Sequence, residues 1–192
     1  MHNLIEFIKI YDNVISQELI DEIMLEYEDS EEWKDCLVSN GEGAVLRKDI
    51  RDVKEILLSS GELSDYRKEI DLKLYGCFSN LIQRYSQTVP LFHKDYSLRD
   101  SGYCLLKYQD NGKYKKHTDY QGYSPVLSNR EISCSIILND GFSGGEFSFW
   151  DKDVIYKIKK GSAIMFPSAF MFPHEILPVT SGTRYSVLTW YA

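Results

Sequence analysis

The spacing of the apolar residues changes near Ser101, and this change restricts the chain to folds that keep helices and strands in separate parts. Before Ser101, apolar side chains recur at three- and four-residue steps, as the buried face of a helix requires. After Ser101, short segments rich in β-branched and aromatic residues are separated by Gly, Pro, Asn or Asp. The sequence therefore predicts an α+β protein.

Two helices are predicted before Ser101. The first covers residues 17–27, with Ser16 as its N-cap because a serine hydroxyl can accept a hydrogen bond from the first turn. The second covers about residues 63–85. Its buried face is expected to comprise Tyr66, Ile70, Leu74, Cys77, Phe78, Leu81, Ile82 and Tyr85. Between them, residues 49–58 are predicted as a further short helix.

The strands predicted after Ser101 span residues 102–109, 131–138, 146–150, 154–158, 162–166, 172–177 and 183–191. Short antiparallel strands of this kind form a jelly roll, or double-stranded β-helix, and the N-terminal helices would pack on one of its sheets. One domain would span residues 1–192, with helical support over about residues 1–100 and the jelly-roll core over about residues 101–192. The loop at residues 120–130 is predicted to be a lid over a site.

Composition excludes several classes of protein. A net charge of -7 disfavours a surface that binds nucleic acid, because such surfaces need clustered Lys and Arg. The four cysteines have no Cys-x-x-Cys spacing, so neither a zinc ribbon nor a disulfide framework is indicated. The chain also lacks the hydrophobic run of a signal peptide or a membrane span. We expect a soluble, cytoplasmic protein with no membrane partner.

Four polar residues after Ser101 form a pattern that indicates chemistry: His117, Asp119, His174 and Arg184. Two imidazoles and one carboxylate are the facial ligand set of non-haem Fe(II), which leaves coordination positions open. On extended chain His117 and Asp119 point to the same face, as do Arg184 and Ser186 on the last strand. The arginine could hold the far carboxylate of a dicarboxylic acid that chelates the metal. The sequence therefore indicates an Fe(II) oxygenase that uses 2-oxoglutarate.

Longer motifs surround these residues. Residues 108–119 contain a Tyr-x-x-x-Gly element that leads into His-x-Asp, and residues 144–146 read Gly-Gly-Glu. Residues 161–168 precede His174, and residues 182–186 introduce a strand that ends at Trp190. In combination these motifs resemble the prolyl 4-hydroxylase-like 2-oxoglutarate oxygenases over about residues 103–191. Where this chain has Arg184, the collagen-type members of that family have lysine.

The resemblance implies cofactors and roles for individual residues. The cofactor would be Fe(II), with 2-oxoglutarate and O2 as cosubstrates and ascorbate as an optional reductant. The metal ligands would be His117, Asp119 and His174. The residues that hold 2-oxoglutarate would be Arg184, Tyr108 and Ser186. The substrate contacts would be Tyr114 and Trp190, which flank a proline ring, and Arg130.

The function that follows is hydroxylation of a prolyl residue in a protein or peptide, with succinate and CO2 as coproducts. Three alternatives remain open: an oxygenase that acts on another residue or on a small molecule, a catalytically silent metal-binding sensor, and a nucleic-acid demethylase, which the acidic composition disfavours. A groove for extended peptide would favour the prolyl function, whereas a closed and charged pocket would favour another substrate. The target protein, the position on the ring and the oligomeric state are not given by the sequence.

Overall fold

Two antiparallel sheets face each other, and two helices pack on the outer side of the larger sheet. The computed structural model describes residues 3–39, 43–89, 98–120 and 130–192. The helices are a 3-10 helix at Leu4–Phe7, α1 at Gln17–Tyr27 and α2 at Asp65–Thr88. The strands are β1 (Lys9–Tyr11), β2 (Lys34–Asp35), β3 (Val38–Ser39), β4 (Ala44–Val45), β5 (Arg51–Asp52), β6 (Lys54–Leu57), β7 (Cys104–Tyr108), β8 (Lys113–His117), β9 (Ile132–Ile137), β10 (Ser143–Gly144), β11 (Phe147–Phe149), β12 (Val154–Tyr156), β13 (Ala163–Pro167), β14 (His174–Ile176), β15 (Val179–Ser181) and β16 (Arg184–Tyr191).

Serine side chains start both α-helices. The hydroxyl oxygen of Ser16 accepts a hydrogen bond from the backbone N–H of Leu19 at 3.2 Å, and Ser64 does the same for α2. The prediction of α1 is confirmed at both ends, because its cap and its apolar stripe are local signals. The second helix begins and ends slightly later than predicted. Its predicted apolar face is buried from Ile70 onward, whereas Tyr66 is 40% exposed.

The larger sheet has seven strands in the order β1-β13-β9-β16-β7-β6-β2, and the smaller has five in the order β12-β11-β14-β8-β5. Strands that are neighbours in these sheets are often distant along the chain, as a jelly roll requires. The prediction of an α+β double-stranded β-helix with N-terminal helices packed on one sheet is confirmed.

The predicted helix at residues 49–58 is wrong, because this segment forms β5 and β6. Strand β5 pairs with β8 of the smaller sheet, and β6 pairs with β7 of the larger sheet. Val53, which lies between them, is buried where the chain passes from one sheet to the other. This change of sheet gives the apolar residues a three-residue spacing that resembles a helix.

The side chains of the larger sheet alternate between two cores. Leu105 and Met165 point toward the helices, where they pack with residues of α1 and α2 such as Phe78. Their neighbours Leu106 and Phe166 point toward the smaller sheet and pack with its side chains. The even-numbered residues of β16 therefore face the space between the sheets, and the odd-numbered ones face the helices.

Some predictions lie outside the described residues, among them most of the lid at residues 120–130, of which only residues 120 and 130 are described. Within the described ranges, no helix combines the length and the apolar character that crossing a membrane would need.

Candidate metal centre

Three side chains able to bind a metal ion converge between the sheets. His117 ends β8, Asp119 follows two residues later, and His174 begins β14. The antiparallel pairing of β14 with β8 places His174 directly opposite His117. The Nε2 atoms of the two histidines lie 3.4 Å (His117) and 3.7 Å (His174) from carboxylate oxygens of Asp119. One ligand atom from each residue lies within 4.8 Å of the others, so a single ion can contact all three.

Backbone carbonyl groups orient both imidazoles. The Nδ1 atom of His117 lies 2.8 Å from the carbonyl oxygen of Lys115, and that of His174 lies 3.1 Å from the carbonyl oxygen of Phe172. A carbonyl oxygen only accepts hydrogen bonds, so each Nδ1 carries the proton and donates it. Each Nε2 therefore presents a lone pair to the position between the three side chains.

Two serines orient the carboxylate. The hydroxyl of Ser133 on β9 donates to Oδ2 of Asp119 at 2.7 Å, and its oxygen lies 2.8 Å from the hydroxyl oxygen of Ser168. Because the proton of Ser133 goes to the carboxylate, Ser168 is the donor of the second bond. Oδ2 is thus held by the larger sheet, and Oδ1 is left for a metal ion.

The protonation states of these groups suit a metal ion. Burial lowers the pKa of His174 to about 4, although Asp119 opposes this change, so the imidazole is neutral near pH 7. Burial alone would raise the pKa of Asp119, but the neighbouring His174 and His117 and the hydrogen bond from the Ser133 hydroxyl lower it below its usual range. A neutral imidazole and an ionised carboxylate are the forms that coordinate a cation.

Arg184 lies in the same space at the start of β16, opposite Tyr108 of β7. It is only 1% exposed, and its Nη1 donates to the hydroxyl of Ser186 at 3.1 Å. Among the described residues, its Nη2 has no hydrogen-bond acceptor. Burial lowers the pKa of Arg184, while Tyr108 and Glu146 act in the opposite direction. A buried guanidinium with free N–H groups is a binding site for an anion such as a carboxylate.

Gly145 makes room for the Arg184 side chain. Its φ of +71° is unfavourable for other residues, and a Cβ atom there would lie 2.7 Å from Cδ of Arg184. A larger residue would therefore displace the guanidinium. The Gly-Gly pair indicates a tight turn from the sequence alone, and its contact with Arg184 adds a second requirement for glycine.

A cavity of about 1150 Å³ connects these groups. All the residues predicted to form the site lie on its wall: Tyr108, Tyr114, His117, Asp119, Arg130, His174, Arg184, Ser186 and Trp190. The volume exceeds what one small dicarboxylic acid needs, and it therefore leaves space for a second molecule.

Aromatic and cationic groups surround the remaining space of the cavity. The ring of Tyr114 stacks on the imidazole of His117, with 3.5 Å between centroids and 17° between planes. The guanidinium of Arg130 lies 3.3 Å from the ring centroid of Trp190. Tyr114 and Trp190 come from different sheets, so the space between them can hold a flat or ring-shaped group.

The residues present fit an Fe(II) ion with 2-oxoglutarate. Two Nε2 atoms and one carboxylate oxygen on one side of a position form the facial ligand set of non-haem iron. The unpartnered Nη2 of Arg184 supplies the donor that the far carboxylate of such a dicarboxylic acid would need.

Other residues of the site were not predicted from the sequence. Ser133 and Ser168 contact the metal-ligand set only because β9 and the end of β13 pair in the larger sheet. Arg51 also lines the cavity, although its segment was predicted to be helical. The Gly-Gly pair was the one local signal that pointed toward Gly145.

Comparison with known proteins gives a consistent result. Residues 103–192 match the family model of the 2OG-Fe(II) oxygenase superfamily. A PKHD-type hydroxylase of Xylella fastidiosa is 28% identical over 141 residues, which cover 67% of this chain and 57% of the relative. Prolyl 3-hydroxylase 2 of Homo sapiens is 33% identical over 93 residues, which cover 46% of this chain and 12% of the relative. The chain thus matches little more than half of one relative and a small part of the other.

Solved structures share the fold over nearly the whole chain. A prolyl hydroxylase from Trichoplax adhaerens, solved in complex with a peptide fragment of the hypoxia inducible factor oxygen degradation domain, has a TM-score of 0.73 and 19% identity. The match covers 97% of this chain and 83% of that one. A prolyl-4-hydroxylase from Pseudomonas putida has a TM-score of 0.68 and 18% identity, and the match covers 97% and 92% of the two chains.

Proposed function

Because residues 103–192 match the model of the 2OG-Fe(II) oxygenase superfamily and prolyl hydroxylases are among the similar proteins, we propose that this chain is a dioxygenase that hydroxylates a prolyl residue of a protein or peptide. The substrates would be O2, 2-oxoglutarate and a proline-containing chain. The coproducts would be succinate and CO2.

The observation that supports this proposal best is that one cavity contains both a set of metal ligands and a buried arginine N–H group without an acceptor. His117, Asp119 and His174 present ligand atoms within 4.8 Å of one another. In the same cavity, Arg184 has a buried N–H group that finds no acceptor in the described part of the chain. A metal ion and a dicarboxylic acid bound to it would complete both at once.

When bound, Fe(II) would activate O2, and 2-oxoglutarate would be oxidised to succinate and CO2 with one oxygen atom while the other converts a C–H bond into C–OH. The work of the protein is to hold and orient these partners. His117 and His174 would hold the metal through Nε2, and Asp119 would hold it through Oδ1.

Arg184 positions the cosubstrate. Its guanidinium would donate hydrogen bonds to the distal carboxylate of 2-oxoglutarate, and the hydroxyl of Ser186 orients the guanidinium by accepting the 3.1 Å hydrogen bond from Nη1. The ring of Tyr108 lies 5.0 Å from the guanidinium carbon and forms one wall of this part of the cavity. The guanidinium of Arg184 is almost completely shielded from water, so it attracts a carboxylate more strongly than a guanidinium at the surface would.

Tyr114 and Trp190 position the substrate. A proline ring offers apolar C–H surface, which packs favourably on aromatic rings. Tyr114 lies against the ligand His117, so a ring held there has its C–H bonds next to the metal. Arg130, stacked on Trp190, is available to contact the rest of the substrate.

The test measures succinate formation from 2-oxoglutarate by the protein with Fe(II), with and without proline-containing peptides. Mass spectrometry of the peptide should show the gain of one oxygen atom. We expect His117→Ala, Asp119→Ala and His174→Ala each to abolish both products, because the remaining ligands cannot hold the ion in reactive geometry. Full activity of any one variant would remove that residue from the site.

Glu175→Ala is the matched control for these variants. Glu175 follows His174 on β14 but points to the opposite face, where it accepts a hydrogen bond from Ser148 at 3.3 Å. Its removal should leave turnover intact. If no proline-containing peptide stimulates the unmutated protein, the prolyl substrate is excluded.

A second candidate is an oxygenase of the same chemistry that acts on another residue or on a small molecule. The observation that favours it is the charge of the cavity, which Arg51 and Arg130 line beside the metal centre. Free amino acids and lysine-containing peptides, tested in the same succinate assay, distinguish it from the prolyl function.

A further inference from the structure

The cavity contains buried hydrogen-bond donors that the metal and 2-oxoglutarate do not explain. Over the described ranges, the buried side-chain donors without an acceptor are Nε of Arg51, Nη2 of Arg184 and Nε1 of Trp190. All of these residues line the cavity. Buried donors normally have partners, and leaving one without a partner costs about 1–3 kcal/mol. Under the proposed function, 2-oxoglutarate satisfies Arg184, and the donors of Arg51 and Trp190 remain.

Arg51 is held at the cavity by the residue before β3 and by a residue of β8. Its Nη1 donates to the carbonyl oxygen of Leu37 at 3.1 Å, and its guanidinium carbon lies 4.8 Å from the ring centroid of Tyr114. The side chain is 15% exposed. These contacts fix the guanidinium beside the ring that covers the metal ligand His117. They leave the Nε–H group free.

Positive charge is in excess on this side of the cavity. The charged residues on the cavity wall are Arg51, Arg130, Arg184, Glu55 and Asp119. Asp119 is committed to the metal ion and Arg184 to 2-oxoglutarate under the proposed function. The remaining carboxylate, Glu55, faces two guanidinium groups and lies 3.7 Å from Nη2 of Arg51. This local excess stands against a net charge of -7 for the whole chain.

The two guanidinium groups also affect each other. Burial lowers the pKa of Arg130, Asp119 opposes this effect, and the charge of Arg51 lowers the pKa further. Arg51 comes from the smaller sheet and Arg130 precedes β9 of the larger sheet, and both line the same cavity. An anion bound between them would offset both positive charges and accept a hydrogen bond from the free Nε–H group of Arg51.

We propose that Arg51 and Arg130 bind a carboxylate of the substrate, so that the substrate is an acidic molecule whose carboxylate lies near the ring being hydroxylated. The excess of one positive charge matches a single carboxylate. Two sources have this chemistry: the side chain of an Asp or Glu next to the proline, and the main-chain carboxylate of a C-terminal or free proline. This inference rests on the proposed function, because it uses the metal centre and 2-oxoglutarate to account for Asp119 and Arg184.

The experiment compares prolyl peptides that differ in one charge. One pair has Glu or Gln next to proline, a second has proline at the end as carboxylate or amide, and free L-proline is the small-molecule probe. Turnover gives KM for each. Calorimetry with Mn(II) and 2-oxoglutarate under nitrogen gives the dissociation constant without any reaction.

We expect the charged peptide of one pair to bind roughly tenfold or more tightly than its neutral partner, because a buried charge-assisted hydrogen bond contributes that much affinity. Arg51→Gln should remove this difference between the charged and the neutral peptide, and Arg51→Lys should restore part of it. Arg47→Gln is the matched control, because Arg47 is exposed, pairs with Asp49 and does not line the cavity.

The outcomes separate this inference from the proposed function. Equal affinities for charged and neutral peptides in the unmutated protein would overturn the inference, and this result does not depend on whether Arg51→Gln folds. Turnover of either peptide would still support the prolyl function. Charge-dependent binding without any hydroxylated proline would support the carboxylate site and exclude the prolyl reaction. Tighter binding of the Glu peptide than of the Gln peptide identifies a side-chain carboxylate. Tighter binding of the peptide with a terminal carboxylate, or binding of free L-proline, identifies a main-chain carboxylate.

Discussion

The two faces of β16 differ in how their polar groups are satisfied. On the face toward the helices, Tyr191 donates to the carbonyl oxygen of Phe78 at 2.7 Å, and Thr189 donates to that of Gly102 at 2.8 Å. On the face toward the cavity, Nη2 of Arg184 and Nε1 of Trp190 have no acceptor among the residues that the structure describes. One strand thus closes a core on one side and presents donors to ligands on the other.

This difference shows where stability and function are located. The helix-side core is largely apolar, and the hydroxyl groups of Tyr85 and Tyr191 donate to backbone carbonyls within the chain, so this core contributes to folding without any ligand. The cavity side contains buried charge and unpartnered donors, which cost folding free energy until a ligand binds. Substitutions on the helix side should therefore lower the free energy of unfolding, whereas substitutions on the cavity side should weaken ligand binding without lowering it.

The largest effect on stability is expected for Phe78→Ala on the helix side. Phe78 is fully buried, and its ring stacks on that of Tyr103 with 5.0 Å between centroids. Truncation should lower the free energy of unfolding by about 3–5 kcal/mol, because it removes packing and leaves a cavity. Urea unfolding followed by circular dichroism measures this change.

Leu72→Ala is the control for Phe78→Ala. Leu72 lies on the same helix but is 69% exposed, so its truncation should change the unfolding free energy by less than about 0.5 kcal/mol. Similar losses for the two variants would mean that the helix-side core does not carry the stability assigned to it.

The next effect concerns the cavity side. Arg184→Met should weaken 2-oxoglutarate binding by on the order of 2–4 kcal/mol, because the fork of charge-assisted hydrogen bonds is lost. Without ligand, the same variant should unfold at an equal or higher urea concentration, since an apolar side chain replaces a buried charge of similar volume. Arg184→Lys should keep part of the affinity, because lysine retains the charge but not the fork.

The measurement for Arg184 is calorimetric titration of 2-oxoglutarate into the protein with Mn(II), together with urea unfolding of the protein alone. Unchanged affinity in Arg184→Met would remove the guanidinium from the cosubstrate site. A large loss of stability with unchanged affinity would show that Arg184 serves the fold instead, and the contrast between the two faces of β16 would fail.

The features predicted correctly from the sequence are those with local signals. Helix α1 has its cap at Ser16 and its apolar stripe within the same few residues. Alternation along a strand places His174 on the inner face and Glu175 on the outer one, and the structure has them so. The residues predicted for the site lie on one cavity, and they could be proposed because their spacing on strands is visible in the sequence without knowledge of the pairing partners.

The features that were missed depend on contacts between distant residues. Strand β8 has the sequence KYKKH, which shows no apolar alternation, and it is extended because it pairs with β14 and β5. Residues 49–58 form strands for a similar reason, since β6 pairs with β7 and β5 with β8. The distance along the sequence between Arg51 and the other site residues does not indicate that they line the same cavity.

The smallest effect is expected for Ser133→Ala, and it tests whether the larger sheet tunes the metal site. Ser133 donates to Oδ2 of Asp119 and so keeps Oδ1 free for the ion. Removing such a partner of a metal ligand typically weakens metal binding by about 10- to 100-fold, so we expect a loss of that order in Mn(II) affinity measured by calorimetry. Ser135→Ala is the matched control, because Ser135 lies on the same face of β9 two residues away and has no bond to a ligand residue in the described structure. Equal affinities in the two variants would mean that the hydrogen bond from Ser133 does not orient Asp119 and that the larger sheet does not tune the metal ligands.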